Sequence, residues 1–177
     1  MSDGPVGEFS VEELYRAMDR QRLSRGLSWQ RAADEIWALS RELNDRRHDH
    51  PIGPSTLTGM RARRDTSCQH ALFVLRWLQR TPESFLGGAV TSPDSTLPLV
   101  GPDRRLRWNL KGLYEAMNEQ RGTQELTWKE LSLTLRCTPS QLTGLRTAKF
   151  ATGMRVAMRI TQWLNRPASD FVYASQW

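Results

Sequence analysis

The chain of 177 residues carries 25 basic and 19 acidic side chains, a formal charge of +6, with 38% hydrophobic and 25% charged residues. This composition excludes bulk disorder and fibrous repeats, and fits one or two globular domains. No apolar run approaches the roughly 20 residues of a membrane-spanning helix. The opening Met1-Ser2-Asp3-Gly4 lacks the basic-then-apolar pattern of a secretory signal, and the two distant cysteines, Cys68 and Cys137, make no disulfide framework. A cytoplasmic protein without membrane contact, drawn to polyanions, is expected.

In chain order the signals are helical. Ser10-Val11-Glu12-Glu13 has capping-box spacing, with Phe9 and Leu14 placed as a hydrophobic staple. Leu14, Met18 and Gln21 then begin an amphipathic first helix. A second helix opens at Ser28-Trp29, and Ala32, Ala33, Ile36, Trp37 and Leu43 predict that it continues by about two turns. A loop over 44–53 leads to a helix opened by Pro54, and a further helix runs from Ser67 to Gln79. The Gly-Gly, Ser-Pro, Leu-Pro and Gly-Pro steps between Gly87 and Arg107 read as a linker, its Arg104-Arg105-Leu106-Arg107 end either solvated or tracking phosphates. Trp108, Asn109 and Leu113 restart the pattern. Thr127 with Glu130 and Thr138 with Gln141 supply capping boxes, and the last helix spans Thr152 to Leu164. No alternating strand pattern is present, so the expected class is all-α.

The second set of signals copies the first. Leu14-Tyr15-Arg16-Ala17-Met18 recurs as Leu113-Tyr114-Glu115-Ala116-Met117, offset by 99 residues, as does Leu27-Ser28-Trp29 in Leu126-Thr127-Trp128. Pro54-Ser55-Thr56-Leu57-Thr58-Gly59-Met60-Arg61 recurs at offset 85 in Pro139-Ser140-Gln141-Leu142-Thr143-Gly144-Leu145-Arg146, and Trp77-Leu78-Gln79-Arg80 at offset 86 in Trp163-Leu164-Asn165-Arg166. The drop from 99 to 85 places a 14-residue insertion between Trp37 and Pro54. Two duplicated helical bundles are expected, over 1–86 and 107–177, joined by a linker over 87–106.

Two short capped helices separated only by Arg136-Cys137 must cross steeply and leave the second exposed along one side. Leu142 and Leu145 anchor that helix, while Ser140, Gln141, Thr143, Gly144 and Thr147 face outward and are small or polar enough to enter a groove. Gly144 costs a helix roughly 1 kcal/mol against Ala, which close approach of a neighbouring helix or of DNA would explain. Leu126 to Leu131 and Cys137 to Leu145 resemble the helix-turn-helix of lambda-repressor-like (Cro/repressor, XRE-type) DNA-binding domains, and the tandem copies resemble actinobacterial regulators. The resemblance covers about 9–86 and 108–172.

It implies double-stranded DNA as partner, with base readout by Ser140, Gln141, Thr143 and Thr147, and by Ser55, Thr56 and Thr58 more weakly. Gln141 would make a bidentate adenine contact. Phosphates would be held by Arg146, Lys149, Lys129, Arg61, Arg63 and Arg64. Trp29 and Trp128 stand where the family usually has a polar residue, and Arg61 and Arg146 where it often has Glu. The first copy has a net charge of +1 and the second +5, which favours the second as the stronger binder. Two recognition helices on one chain would act as a covalent pseudo-dimer on half-sites ~10 base pairs apart, inverted or direct. A homodimer through Phe171, Tyr173 or Trp177 is open. So is the alternative of a protein-interaction adaptor that no longer binds DNA, with the first copy as its docking module.

His48, His50, Cys68 and His70 have enough donors for zinc. Cys68 and His70 align with Met154 and Val156, however, which are apolar positions, so no metal and no cofactor are expected. A Gly-rich phosphate loop, a nucleophile elbow and a His-Glu-x-x-His helix are all missing from the sequence, and no catalysis is expected.

Overall fold

The structure, a computed structural model, describes residues 7–148 and 152–177. Strand β1 (Glu8–Phe9) precedes helices α1 (Val11–Ser24), α2 (Trp29–Ala38), α3 (Arg41–Arg46), α4 (Pro54–Arg63) and α5 (Cys68–Leu78). Strands β2 (Leu86–Gly87) and β3 (Arg105–Trp108) follow. Then come α6 (Leu110–Thr123), α7 (Trp128–Thr134), α8 (Pro139–Thr143), α9 (Met154–Leu164) and strand β4 (Val172–Ser175). Short 3-10 turns lie at Pro82–Phe85, Gly144–Arg146 and Ala168–Phe171. None of the described helices is long and apolar enough to cross a membrane.

The chain is mostly helical, which is compatible with the expected all-α class, with two short strand pairs besides. β1 pairs antiparallel with β2 and β3 with β4. Neither pair leaves an alternating pattern to read, because β1 and β2 are two residues each and β3 is buried at every position.

The matching sequence blocks make matching local structures. Ser10 and Asn109 cap α1 and α6 by accepting from the N–H of Glu13 and Gly112. Their own N–H groups donate to Phe85 and Phe171 O of the neighbouring turns. The box expected at Ser10 is therefore only half made, and the Glu13 carboxylate instead meets Arg16 at 2.9 Å. Gln21 and Gln120 each donate to the carbonyl ending the last helix, on Trp77 and Trp163, both at 3.1 Å. Tyr15 stacks on Trp29, and Tyr114 on Trp128, with Arg22 and Arg121 over the indoles. Both tryptophans thus belong to the packing of their halves.

Two expectations fail at the insertion and the linker. The second helix does not run on, because α2 stops at Ala38 and α3 starts after Ser40. Buried Ser40 holds the break, donating to Arg104 O and accepting from Arg76, while Pro102 O accepts from the N–H groups of Glu42 and Leu43. Those two N–H groups are among the unpaired donors of a helix start, and the linker satisfies them. The linker itself is strapped down. Thr91 and Ser92 bond to Gln162, Ser95 to Glu83, and Val100 and Gly101 O accept from Arg76. Arg105 and Arg107, expected to be solvated or on phosphates, are buried in β3.

The halves are joined crosswise. β1 of the first half packs on α9 of the second, and β3 of the second packs on α5 of the first. At the centre Ser67 pairs antiparallel with Gly153, its own counterpart at offset 86. Cys68 N donates to Thr152 O and Met154 N donates to Thr66 O, both at 2.8 Å. Each bond is the other's repeat image, so a local two-fold axis passes through this bridge. A Cβ on Gly153 would press on the Asp65 carboxylate, which would have to shift.

Glu8 fastens the joint, accepting from Arg155 Nε at 2.7 Å and Arg159 Nε at 2.9 Å. Burial alone would raise its carboxyl, but the bonds and charge of Arg159 and Arg155 outweigh it and hold it below the ordinary range. A group whose folded pKa is depressed contributes stability above its unfolded value and loses it as pH falls through the folded one. Glu8→Gln is therefore expected to lower unfolding stability by about 2 kcal/mol at pH 7. In urea titrations the gap from wild type should shrink toward pH 3. A constant gap would assign Glu8's contribution to packing instead.

Candidate nucleic-acid interface

Both of the tight capping boxes expected in the second half are formed, at Thr127 with Glu130 and at Thr138 with Gln141. Between them the chain reverses at Arg136, whose φ is 52°. Arg159, held by Glu8, donates to Leu135 and Arg136 O, so the joint also fixes the end of α7. Leu142 and Leu145 are buried and anchor α8 and the turn after it. Ser140, Gln141, Thr143, Gly144, Arg146 and Thr147 are exposed, as is Lys129 on α7. Lys149 lies outside the described residues.

In the first half α4 is ten residues long, with Pro54 in its first turn and Gly53 as an N-cap without a side-chain bond. Leu57 and Met60 anchor it. Ser55, Thr58, Arg61, Arg63 and Arg64 are exposed and Thr56 is half-buried. Arg64, in the left-handed region at φ 56°, ends the helix.

Three details revise the sequence reading. Gln141 Oε1 accepts from Thr138 N at 2.9 Å, which leaves only the amide donor for a base. A bidentate adenine contact needs both an acceptor and a donor, so the cap would have to open first. The hydroxyls of Thr58 and Thr143 donate to the carbonyls of Pro54 and Pro139 and offer acceptors outward. Gly144 opens a 3-10 turn rather than continuing a helix, and a Cβ built on it meets nothing within 4 Å among the described residues. No neighbouring helix among them explains that glycine.

Two concavities flank the central bridge and share Gly153. One, of about 410 Å³, lies between α4 and the bridge and is lined by Thr56, Met60, Arg63, Asp65 and His70. The other, of about 230 Å³, lies between α8 and the bridge and is lined by Ser140, Gln141, Gly144 and Ala148. The axis therefore sets α4 and α8 on either side of one seam. The second half's charge excess is partly neutralised there, since Arg155 and Arg159 pair with Glu8.

The zinc donors do not converge: among the described residues no three His, Cys, Asp or Glu side chains are grouped to hold a metal. Cys68 is fully buried, which pushes its thiol well up, and burial, then Arg63, lowers His70. His48 and His50 are exposed. Of the residues open to homodimer contact, Phe171 is core, whereas Tyr173 and Trp177 are exposed, with Arg107 over the Trp177 ring. No family model, curated protein or solved structure matches the chain.

Proposed function

We propose that this chain is a double-stranded DNA-binding protein, a bacterial transcriptional regulator built as two lambda-repressor-like helix-turn-helix units with α4 and α8 as recognition helices. The observation that supports it most is the reciprocal bridge at Ser67 and Gly153, which relates α4 to α8 by a local two-fold. The two strands of B-DNA are related in the same way, so two such helices address inverted half-sites rather than direct ones. Arg61 on one side and Arg146 on the other are repeat equivalents, both exposed where phosphates would flank the grooves. Arg63 and Arg64 add to the first side, so both halves engage DNA, with the lead expected for the second reduced by its pairing with Glu8. Open space before Gly144 suits close approach of a DNA backbone.

Selection from a random duplex library tests this. The expected product is an imperfect inverted repeat with half-sites ~10 base pairs apart, imperfect because Thr56 stands opposite Gln141 in the repeat. Gly144→Ala is expected to fold at least as stably, gaining up to roughly 1 kcal/mol of backbone propensity, yet to bind the selected duplex about tenfold more weakly. Enrichment of direct repeats would contradict the two-fold arrangement. Weak, equal binding to all duplexes would refute DNA reading and favour the adaptor alternative.

A further inference from the structure

The strands that cross between the halves reach further than the last helices. In the second half Glu8 of β1 accepts from Arg159 Nη2 at 2.7 Å, while Arg159 Nη1 donates to Arg136 O at 2.8 Å and Leu135 O at 3.3 Å. The Arg159 side chain is only 13% exposed. One guanidinium, largely closed off from water, thus ties a carboxylate of the first half to two carbonyls at the end of α7. Such carbonyls have no partner within their own helix, and here a side chain held by the other half supplies one. The repeat sets Trp37 in the place of Arg136 and Phe73 in that of Arg159. The chemistry there differs, but the connection is kept. Phe73 packs on Trp37 with ring centroids 5.9 Å apart, and Arg105 of β3, a strand of the second half, lies over the same indole at 5.1 Å. Trp37 O accepts from Asn44 Nδ2 at 2.8 Å, and Asn44 Oδ1 accepts from Arg105 Nη2 at 2.8 Å. Arg105 also holds Asp49 at 3.0 Å, in the loop that leads into α4.

We propose that each crossing strand positions the recognition helix of the opposite half. Glu8, acting through Arg159, sets the turn between α7 and α8, and Arg105, acting through Trp37, Asn44 and Asp49, sets the approach to α4. Both are positioning residues, since each acts through other side chains. A guanidinium suits the task because its planar fork reaches several oxygens at once in fixed directions. The second half gives its relay the shorter lever. Only residues 135–138 separate α7 from α8, so a displacement of Arg136 passes directly to Thr138, the cap of α8. In the first half α3 and the loop lie between α2 and α4, and Arg105 grips that segment at both Asn44 and Asp49. The relays stand without the DNA reading, whereas their consequence for half-site recognition rests on it.

The test uses the full chain, isotope-labelled for amide resonances and first without DNA. Glu8→Gln is expected to shift the amides of Arg136, Cys137 and Thr138 and to leave those of Trp37 and Ala38 in place. Asn44→Ala is expected to do the reverse. It stands in for Arg105, whose burial puts folding at risk on substitution. Arg155→Gln controls for stability alone, because Arg155 also pairs with Glu8 but makes no bond to the end of α7 among the described residues. It should lower the unfolding midpoint and leave the Arg136 amide unmoved. On the selected duplex, with one half-site scrambled at a time, Glu8→Gln should reduce discrimination about tenfold at one half-site and Asn44→Ala at the other, roughly the worth of one base pair. Unmoved Arg136 and Cys137 amides in a folded Glu8→Gln, or equal movement in Arg155→Gln, overturn the proposal. Equal loss at both half-sites from each variant also overturns it. If the unmodified chain reads no duplex while the crossed amide shifts appear, the relays stand and the DNA reading falls.

Discussion

Replacing Arg61 and Arg146 together by alanine is expected to weaken binding to the selected duplex by about 10–100-fold at ~0.15 M salt. The plot of log affinity against log salt should flatten by about 1.8, because each neutralised phosphate contributes roughly 0.9 to that slope. Both side chains are exposed, and they occupy the same place in the two repeats, next to the buried anchors Met60 and Leu145. Each single variant should remove about half of the slope change if the two-fold presents both helices to one duplex. Equal loss on specific and random duplexes would identify phosphate contacts, whereas loss confined to one base position would identify readout. A double variant with unchanged salt slope would remove these arginines from the interface.

Leu113→Ala is expected to cost about 3–5 kcal/mol and to lower the unfolding midpoint of the whole chain in one transition. Leu113 is fully buried on α6 and Leu14 is its counterpart on α1, so Leu14→Ala should behave alike. A chain of two beads on a linker would show two transitions, with each substitution moving only its own. The crossed packing argues otherwise: β3 lies on α5 and β1 on α9, so the last helix of each half loses its cover when the other half unfolds. Calorimetry on both variants decides the matter. Two separable transitions would mean that the joint is weaker than its hydrogen bonds and ion pairs imply.

Part of the site was legible from local chemistry. The caps at Thr127 and Thr138 and the buried pair Leu142 and Leu145 depend on residues within a turn of each other, and periodicity reports such relations. Gln141 shows where this breaks down. The pattern assigns one amide both to complete a cap and to read a base, and the cap, being three residues away, takes the acceptor. The insertion shows a second failure. Ala32 to Leu43 carries a helical pattern, yet Ser40 bonds Arg104 and Arg76, both far away in sequence, and these partners break the helix.

The sequence by itself determined the helical elements outside the insertion, their order, the repeat and its offsets, because each follows from short-range capping, spacing and identity. Tertiary structure decided how the copies face each other. Ser67 and Gly153 carry no signal of pairing, and a bridge between two small residues is fixed only by backbone hydrogen bonds that form once α5 and α9 meet. The same holds for Arg105 and Arg107, which read as a solvated basic run and are buried. Their partners, Asp49, Asn44 and the Trp177 carbonyl, come from segments 56 to 70 residues away, and burial of a charge depends on partners that sequence spacing does not reveal.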